Sequence, residues 1–371
     1  MKKKLLIFHP YLTTYRIDLY NRFVCDYEVR VVLTGHPNEI SGLGFDVENV
    51  NNQAKFDYKY YNNGLFFGRQ QITSVYFKVI KEFKPDIVLC HEYGFNTLAA
   101  IMLKSLYKYK LFLTCDDSYQ MACSYGIKRK LLRNFVVKNA DGILVVSSQT
   151  KNFLEKNYLN PKCKFIYFPI IQDDALLSDK IINSKSIAKN YAEKYYLDGK
   201  KILLYVGRFA LEKNISLLLE SYSRIKTPDD ILVLVGNGNQ RGVITNLIEN
   251  LELGKNVILT GSLYAENLYA WYYLCDVFVL PSKKEAFGAV VNEALVAGCF
   301  SVVSNSAGAS CLINDGQNGY VFESENIVDL SDKLQMALKR EKKSVCASIM
   351  SRCFDSFYKD LLNAFEGNLF E

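Results

Sequence analysis

LPSKKEAFGAVVNEALVAG, residues 280–298, is the stretch on which the fold turns. Residues 277–281 are an apolar run of strand length, and the loop after them carries Glu285 and Gly288. From about Phe287 the apolar residues Val290, Val291, Ala294, Leu295 and Ala297 recur at helical spacing. A strand, a glycine-bearing loop and a helix start make the repeating unit of a parallel sheet. The amides at such a helix start favour an anion, and glycine lets the backbone approach it. Ala286, Phe287, Gly288 and Ala289 are therefore candidate phosphate contacts.

The two carboxylates of this stretch suit a different task. Glu285 lies at the mouth of the loop and Glu293 about two turns later, able to face the same cleft from the helix. Carboxylates accept hydroxyl hydrogens, so a pair flanking a phosphate site suits a ribose on one side and sugar hydroxyls on the other. The plainer alternative makes Glu285 a helix-start acid and Glu293 a surface residue. The apolar company of Glu293 weighs against it, because an unpaired carboxylate there is costly.

Upstream, LLYVGRFALEKN (residues 203–214) is a second strand, glycine turn and helix entry, with Gly207 in the turn and Arg208 and Lys213 beyond it. A guanidinium fork and an ammonium together suit a diphosphate and neutralise it as it leaves. Taken singly, either residue reads more simply as a surface cation. Gly236 and Asn237 end the next strand, and Gly261, Ser262 and Leu263 the one after. Glycine after a strand is mostly turn geometry, so only their place in the series assigns these residues to a nucleotide pocket.

The rest of the chain repeats the pattern. Apolar runs at residues 4–9, 27–34, 87–91, 110–115, 142–147 and 163–168 alternate with helical segments, and a second series occupies 202–207, 231–236, 257–261, 277–280 and 300–304. This predicts an α/β protein with two Rossmann-like units in tandem. A length of 371 residues agrees, being too long for one ordinary core. The boundary is expected near residues 167–173, followed by a polar stretch through Gly199 with no clear pattern. The expected organisation is domain 1–170, domain 171–345, and a C-terminal helical segment 346–371, its helix over about 344–365, that braces the first domain.

Composition sets bounds on function. At 49% hydrophobic and 23% charged residues, the chain is neither disordered nor a coiled coil. Residues 5–8 are too short for a signal-peptide core, and no later run reaches the ~18 apolar residues of a spanning helix, so a cytoplasmic protein with at most peripheral membrane contact is expected. The ten cysteines are scattered and read as reduced core thiols. With only His9, His36 and His91, and no CxxC pair, no metal is expected. Of the net charge of +6, Lys128, Arg129, Lys130, Arg133 and Lys138 crowd one predicted helix. That permits an anionic partner, although a solvated helix face explains it more simply. No nucleic-acid-binding motif accompanies the charge.

PSKKEAFGAVVNEALVAG (281–298), with SVVSNSAGASCLINDGQNGYVF (301–322) after it, resembles the signature of the retaining GT-B glycosyltransferases of family 4, also called group 1. GRFALEKN (207–214) is similar to the family's diphosphate-binding element. The resemblance implies two Rossmann-like domains facing across a deep cleft, with a C-terminal helix crossing back to the first. It implies a nucleotide-diphosphate sugar, UDP- or GDP-linked, held by Arg208 and Lys213, and transfer with retention and without a metal. The acceptor it implies is a saccharide or lipid-linked saccharide of cell-surface polysaccharide synthesis, met at the inner face of the membrane.

The first half departs from the family pattern. FHPYLTTYR (8–16) lacks the glycine pair of many relatives, leaving Arg16 either to charge the cleft or to pack on the first helix. LTCDDSY (113–119) stands where relatives carry a histidine, so Asp116 is the candidate acceptor-side residue, with Asp117 and the His91–Glu92 pair as alternatives. Each reads equally as a capped helix start. A sugar-nucleotide 2-epimerase of the same plan is the runner-up. A nucleotide-dependent oxidoreductase is poorer, lacking GxGxxG after an early strand, and a non-catalytic carbohydrate-binding protein sits badly with Arg208, Lys213, Glu285 and Glu293 together.

Overall fold

Lys3–His9 (β1) is buried from Leu5 onward, and it pairs in parallel with Tyr27–Leu33 (β2) on one edge, Leu5 opposite Val29, and with Ile87–His91 (β6) on the other, Leu5 opposite Ile87. Covered on both faces, such a strand reads as a continuous apolar run. The computed structural model describes residues 1–35, 52–61, 63–67, 70–341 and 347–367. His36, Cys346 and the expected helix start at Ser344 lie outside the described residues.

The first unit takes Met1–Ile170 together with the chain from Asp355 onward. Its further strands are Asp57–Tyr60 (β3), Lys110–Cys115 (β7), Gly142–Val145 (β8) and Lys164–Tyr167 (β9), in the all-parallel order β3-β2-β1-β6-β7-β8-β9. A separate hairpin of Leu65–Phe67 (β4) and Gln70–Ile72 (β5), like β3, is absent from the sequence reading. The connecting helices are Thr14–Asp26 (α1), Val75–Phe83 (α2), Phe95–Tyr107 (α3), Tyr119–Ser124 (α4), Ile127–Asn139 (α5) and Ser148–Asn157 (α6). Strand order reverses between β1 and β6, so the loops after them open at the sheet's ligand-binding edge.

The second unit, Ile171–Phe354, repeats the plan. Its strands are Lys201–Val206 (β10), Asp230–Val235 (β11), Val257–Gly261 (β12), Val277–Leu280 (β13), Phe300–Ser304 (β14) and Gly319–Phe322 (β15), ordered β12-β11-β10-β13-β14-β15 and all parallel. The reversal here falls between β10 and β13, the two strands whose loops carry Arg208, Lys213 and Glu285.

The polar stretch after residue 170 is not featureless. It forms Asp174–Asn183 (α7), capped by Asp173, and Lys185–Lys194 (α8), whose Leu177, Ile181 and Ala188 are buried. Ala265–Leu274 (α11) lies against them, with Trp271 stacked on Tyr191 at 4.9 Å between ring centroids. Asp173 is the α7 cap, and Asp230 opens β11, buried, its carboxylate accepting from Thr227.

The remaining helices are Ile215–Ile225 (α9), Arg241–Asn250 (α10), Val290–Val296 (α12), Ile327–Leu338 (α13) and Phe354–Glu366 (α14). α14 begins ten residues later than the expected Ser344, and it packs on the first unit. Phe354, Phe357, Tyr358, Leu361 and Phe365 form its buried stripe. Phe365 meets Phe112 at 4.4 Å between centroids, and Tyr358 donates to Asp26 at 2.6 Å.

Candidate functional site

In the second unit, the turns after β10, β11 and β12 are stitched together by backbone. Gly207 N–H donates to Val235 O at 3.0 Å, Phe209 N–H to Asn237 O at 2.9 Å, and Gly236 N–H to Gly261 O at 2.8 Å. The approach is so close that a Cβ on Gly236, at φ +148°, would stand 1.9 Å from the Gly207 carbonyl oxygen. Gly207, Gly236, Asn237 and Gly261 thus form one contiguous floor at the C-terminal sheet edge. Ser262 and Leu263 continue from it, the serine exposed and the leucine half-buried. Tyr205, which the sequence reading passed over, donates from its buried hydroxyl to the Arg208 carbonyl at 3.1 Å and props the turn.

Lys213 ends a short 3-10 turn, Leu211–Lys213, and its ammonium pairs with the Glu285 carboxylate. Both side chains are largely buried, whereas Arg208 is 55% exposed and rests against Glu212 at 3.5 Å. Glu212, also unremarked in the sequence, accepts the Lys283 N–H on its carbonyl at 2.8 Å and so ties the loop after β10 to the loop after β13.

The loop after β13 differs from expectation at its end. Helix α12 begins at Val290, not near Phe287, because Gly288 takes φ +96°, a left-handed conformation that breaks helical continuation. Ala286 and Phe287 instead line a close crossing with the segment after β14. A Cβ on Gly308 would meet the Ala286 carbonyl oxygen at 2.3 Å, and Ala309 N–H donates to Phe287 O at 2.8 Å. Ala289 is the residue before the first helical turn, and Val291 N–H returns to Gly288 O at 3.0 Å.

Glu285 therefore does not act as a helix-start acid; it lies before the left-handed turn, held by Lys213. Glu293 is not a free surface residue either. Its Oε1 accepts from Gln172 Nε2 at 2.9 Å, while Asn292 Oδ1 accepts the Gln172 N–H at 2.9 Å. Its Oε2 is buried with no partner at hydrogen-bond geometry, although the Tyr272 hydroxyl lies close enough to favour the charged form. Burial still raises the Glu293 pKa above the ordinary carboxylate range. Gln172 is the second residue of the second unit, where sequence offered no signal.

The first unit carries a second polar cluster at the edge where β1, β6 and β7 end. Arg16, 2% exposed, pairs with Asp116, whose backbone N–H donates to Glu92 Oε1 at 2.8 Å. Arg16 thus does neither of its two expected jobs alone, being buried on α1 and charged against Asp116. Asp116 is not a helix cap, a role taken by Ser118, which accepts the Met121 N–H. Asp117 accepts from Arg133 at 3.0 Å and from the Tyr125 hydroxyl.

His9 and His91 pack 4.1 Å apart, centroid to centroid. Burial, each other and Arg16 hold His9 well below its usual pKa, and burial lowers His91 to about 4, so both are neutral near pH 7. Glu92 sits in the left-handed region at φ +58°. Burial first, then Asp117 and Asp116, push its carboxyl up to about 8.

One further expectation is corrected here. The basic helix, α5, is not a uniform charged face, because Arg133 is fully buried against Asp117 and Arg129 reaches Glu92 at 3.6 Å. Lys128, Lys130 and Lys138 do face solvent. Among the described residues, Glu92, Cys115 and Asp117 place a ligand atom each within 4.8 Å of one another. That group is already internally satisfied in part, with Cys115 Sγ donating to Asp117 at 3.4 Å and Arg133 neutralising it.

Two doubly wound parallel sheets are the plan of the GT-B fold, and solved structures share it. A glycosyltransferase from Rickettsia africae superposes with TM-score 0.72 at 18% identity over 98% of this chain and 94% of the other. Anabaena HepE in complex with UDP and glucose does so with TM-score 0.70 at 15% identity over 98% of each. The model for glycosyl transferases group 1 matches residues 188–348, and that for glycosyltransferase family 4 matches residues 17–170. The chain belongs to the family 4 glycosyltransferases.

A similar curated relative is the N-acetylgalactosamine-N,N'-diacetylbacillosaminyl-diphospho-undecaprenol 4-alpha-N-acetylgalactosaminyltransferase of Campylobacter jejuni, 30% identical over 58% of this chain and 56% of its own length. This chain thus spans little more than half of that relative. Among the described residues, no helix is long and apolar enough to cross a membrane.

Proposed function

We propose that this enzyme transfers a sugar, with retention at the anomeric carbon, from a nucleotide-diphosphate sugar to a saccharide or lipid-linked saccharide in cell-surface polysaccharide synthesis. The observation that carries the reading is the Lys213–Glu285 pair at the β10/β13 reversal, with the Arg208 side chain accessible in the same loop. A diphosphate set against this edge meets two cations, and Glu285, already charge-balanced by Lys213, is left to accept sugar hydroxyl hydrogens.

Arg208 and Lys213 stabilise the charge that develops on the diphosphate as the glycosidic bond breaks, a task that needs neither a protein nucleophile nor a metal. The floor around Gly236 and Gly261 takes the nucleoside, and Glu293, held by Gln172, supports its ribose. Asp116 is the acceptor-side group, oriented by Arg16 and Glu92. The donor is UDP- or GDP-linked, and the UDP-bound Anabaena structure supports a uridine nucleotide. The undecaprenol-linked substrate in the Campylobacter relative's name supports a lipid-linked acceptor, met by peripheral attachment at the inner face of the membrane.

Calorimetry of UDP, GDP, ADP and their sugar conjugates tests the donor side. One nucleotide is expected to bind selectively, with affinity falling at least ~10-fold in the Arg208→Ala, Lys213→Ala double variant, about 1.4 kcal/mol. No binding by the wild type to any of them overturns the reading. Proton NMR of the product's anomeric coupling, taken before mutarotation, tests retention.

A further inference from the structure

Helix α5, IKRKLLRNFVVKN, turns its two arginines toward the domain, along with Val136 and Val137, and three large apolar residues away from it. Ile127 is 77% exposed, Leu131 64% and Phe135 48%. They lie at i, i+4 and i+8, one continuous stripe on the face opposite the buried Arg133, Val136 and Val137. At about 100° per residue, Lys128 and Lys130 fall on opposite flanks of this stripe, and Lys138 lies along it. The helix contains no acidic residue. Large apolar side chains in a row on a monomer's surface mark an interaction site.

We propose that this face of α5 docks the enzyme on an anionic lipid bilayer, with Ile127, Leu131 and Phe135 entering the headgroup and acyl boundary and Lys128, Lys130 and Lys138 meeting lipid phosphates. Charge decides the occupant. An apolar stripe between lysines matches an anionic interface, where lysine stems extend along the apolar boundary and the ammonium stays wet. A two-fold contact with a second copy sets lysines against lysines with no carboxylate on the helix to receive them. The inference rests on the reading above that the acceptor is membrane-presented, and it identifies the surface that brings the enzyme there. It also separates the cations that face the bilayer from Arg129 and Arg133, which do not.

Sedimentation with phosphatidylcholine vesicles, with and without phosphatidylglycerol, tests it on the full chain. Wild type is expected to pellet with the phosphatidylglycerol vesicles and to be released by salt. Leu131→Ser with Phe135→Ser, which leaves charge unchanged, is expected to weaken this roughly 10-fold. Lys128→Glu with Lys130→Glu is expected to remove the preference for anionic lipid. All four positions are exposed, so thermal unfolding and nucleotide binding by the second unit serve as controls and stay at wild-type values.

Equal pelleting by wild type and the serine pair overturns the proposal. So does a wild type that ignores the vesicles, or one that dimerises through this face, seen as a dimer in light scattering that the serine pair converts to monomer. Failure of nucleotide binding with vesicle binding intact counts against the transferase reading alone.

Discussion

The Lys213 ammonium and the Glu285 carboxylate, 72 positions apart in sequence, form an ion pair with their side chains only 15% and 16% exposed. Neither charge is well placed without the other, because each has lost most of its water. Lys213→Ala therefore removes the proposed phosphate ligand and strands Glu285, and a loss of about 10²-fold in kcat/KM is expected. Glu285→Ala is expected to cost as much by a different route. The double variant falls short of the sum by on the order of 0.5–3 kcal/mol, because the second substitution finds its partner already gone. A double-mutant cycle on donor binding measures this; additivity means the two residues act separately.

The carboxyl of Glu92 carries a pH signature. Its folded pKa is pushed up to about 8 by burial and by Asp117 and Asp116, against the opposing effect of the nearby Arg129; Tyr125, Cys115 and Arg133 share the cluster. An acid with a raised folded pKa binds its proton more tightly folded than unfolded. Its contribution is therefore fully present below the unfolded value near 4.5, is lost as pH rises, and is gone above about 8. Denaturation of the wild type at about pH 5 and about pH 8 should show this loss. Glu92→Gln, whose amide oxygen can still accept the Asp116 N–H, should flatten that part of the slope; an unchanged slope places the titration elsewhere.

Much of the donor side was legible because its chemistry sits on short spans between strong apolar runs: GRFALEKN and KEAFGAVVNE read as strand, turn and helix before any coordinates. What sequence did not supply was pairing across long separations. Lys213 and Glu285 are adjacent only because β10 and β13 are neighbours at a reversal of strand order. The Gly288 break that delays α12 depends on Leu280 and Glu285 crowding that position, with Leu280 Cδ2 only 2.6 Å from a built Cβ. In the first unit, a charge run on one helix divides into inward arginines and outward lysines, a division decided by Asp117 and Glu92 on other elements. α7 and α8 were missed although Leu177, Ile181 and Ala188 keep helical spacing, because polar residues dominate their composition.

That division of α5 predicts opposite outcomes for two neighbouring cations. Arg133 is fully buried, its guanidinium 3.0 Å from Asp117 and 5.0 Å from the centre of the Tyr125 ring. Arg133→Ala removes the nearest cation from a buried carboxylate that keeps only the Tyr125 hydroxyl and Arg129 at 3.7 Å, an expected loss of about 3 kcal/mol, the low end for breaking a buried pair. Lys130 is exposed, and Lys130→Ala should stay within about 0.5 kcal/mol of wild type. Urea denaturation of both variants reads the difference. Similar stabilities would mean that the Arg133–Asp117 pair contributes little to the first unit.

Two glycines of the second unit make the sharpest test of the donor-side floor. A Cβ at Gly236 falls 1.9 Å from the Gly207 carbonyl oxygen, and its φ of +148° strains any L side chain. The conformation alone costs about 1–3 kcal/mol, and the clash adds to it because backbone, not a flexible side-chain end, is in the way. Gly236→Ala should therefore lower the unfolding midpoint and, by pushing the β10 and β11 turns apart, weaken nucleotide binding as well. Gly242, exposed on helix α10, has nothing within 4 Å of a Cβ placed on it. Gly242→Ala should gain about 0.5–1 kcal/mol, the ordinary helix preference of alanine over glycine, and leave nucleotide binding untouched. Thermal melts with calorimetry on the two variants separate a general intolerance of added methyl groups from a floor built on close backbone approach. If Gly236→Ala melts and binds like wild type, the turns after β10 and β11 do not meet as described.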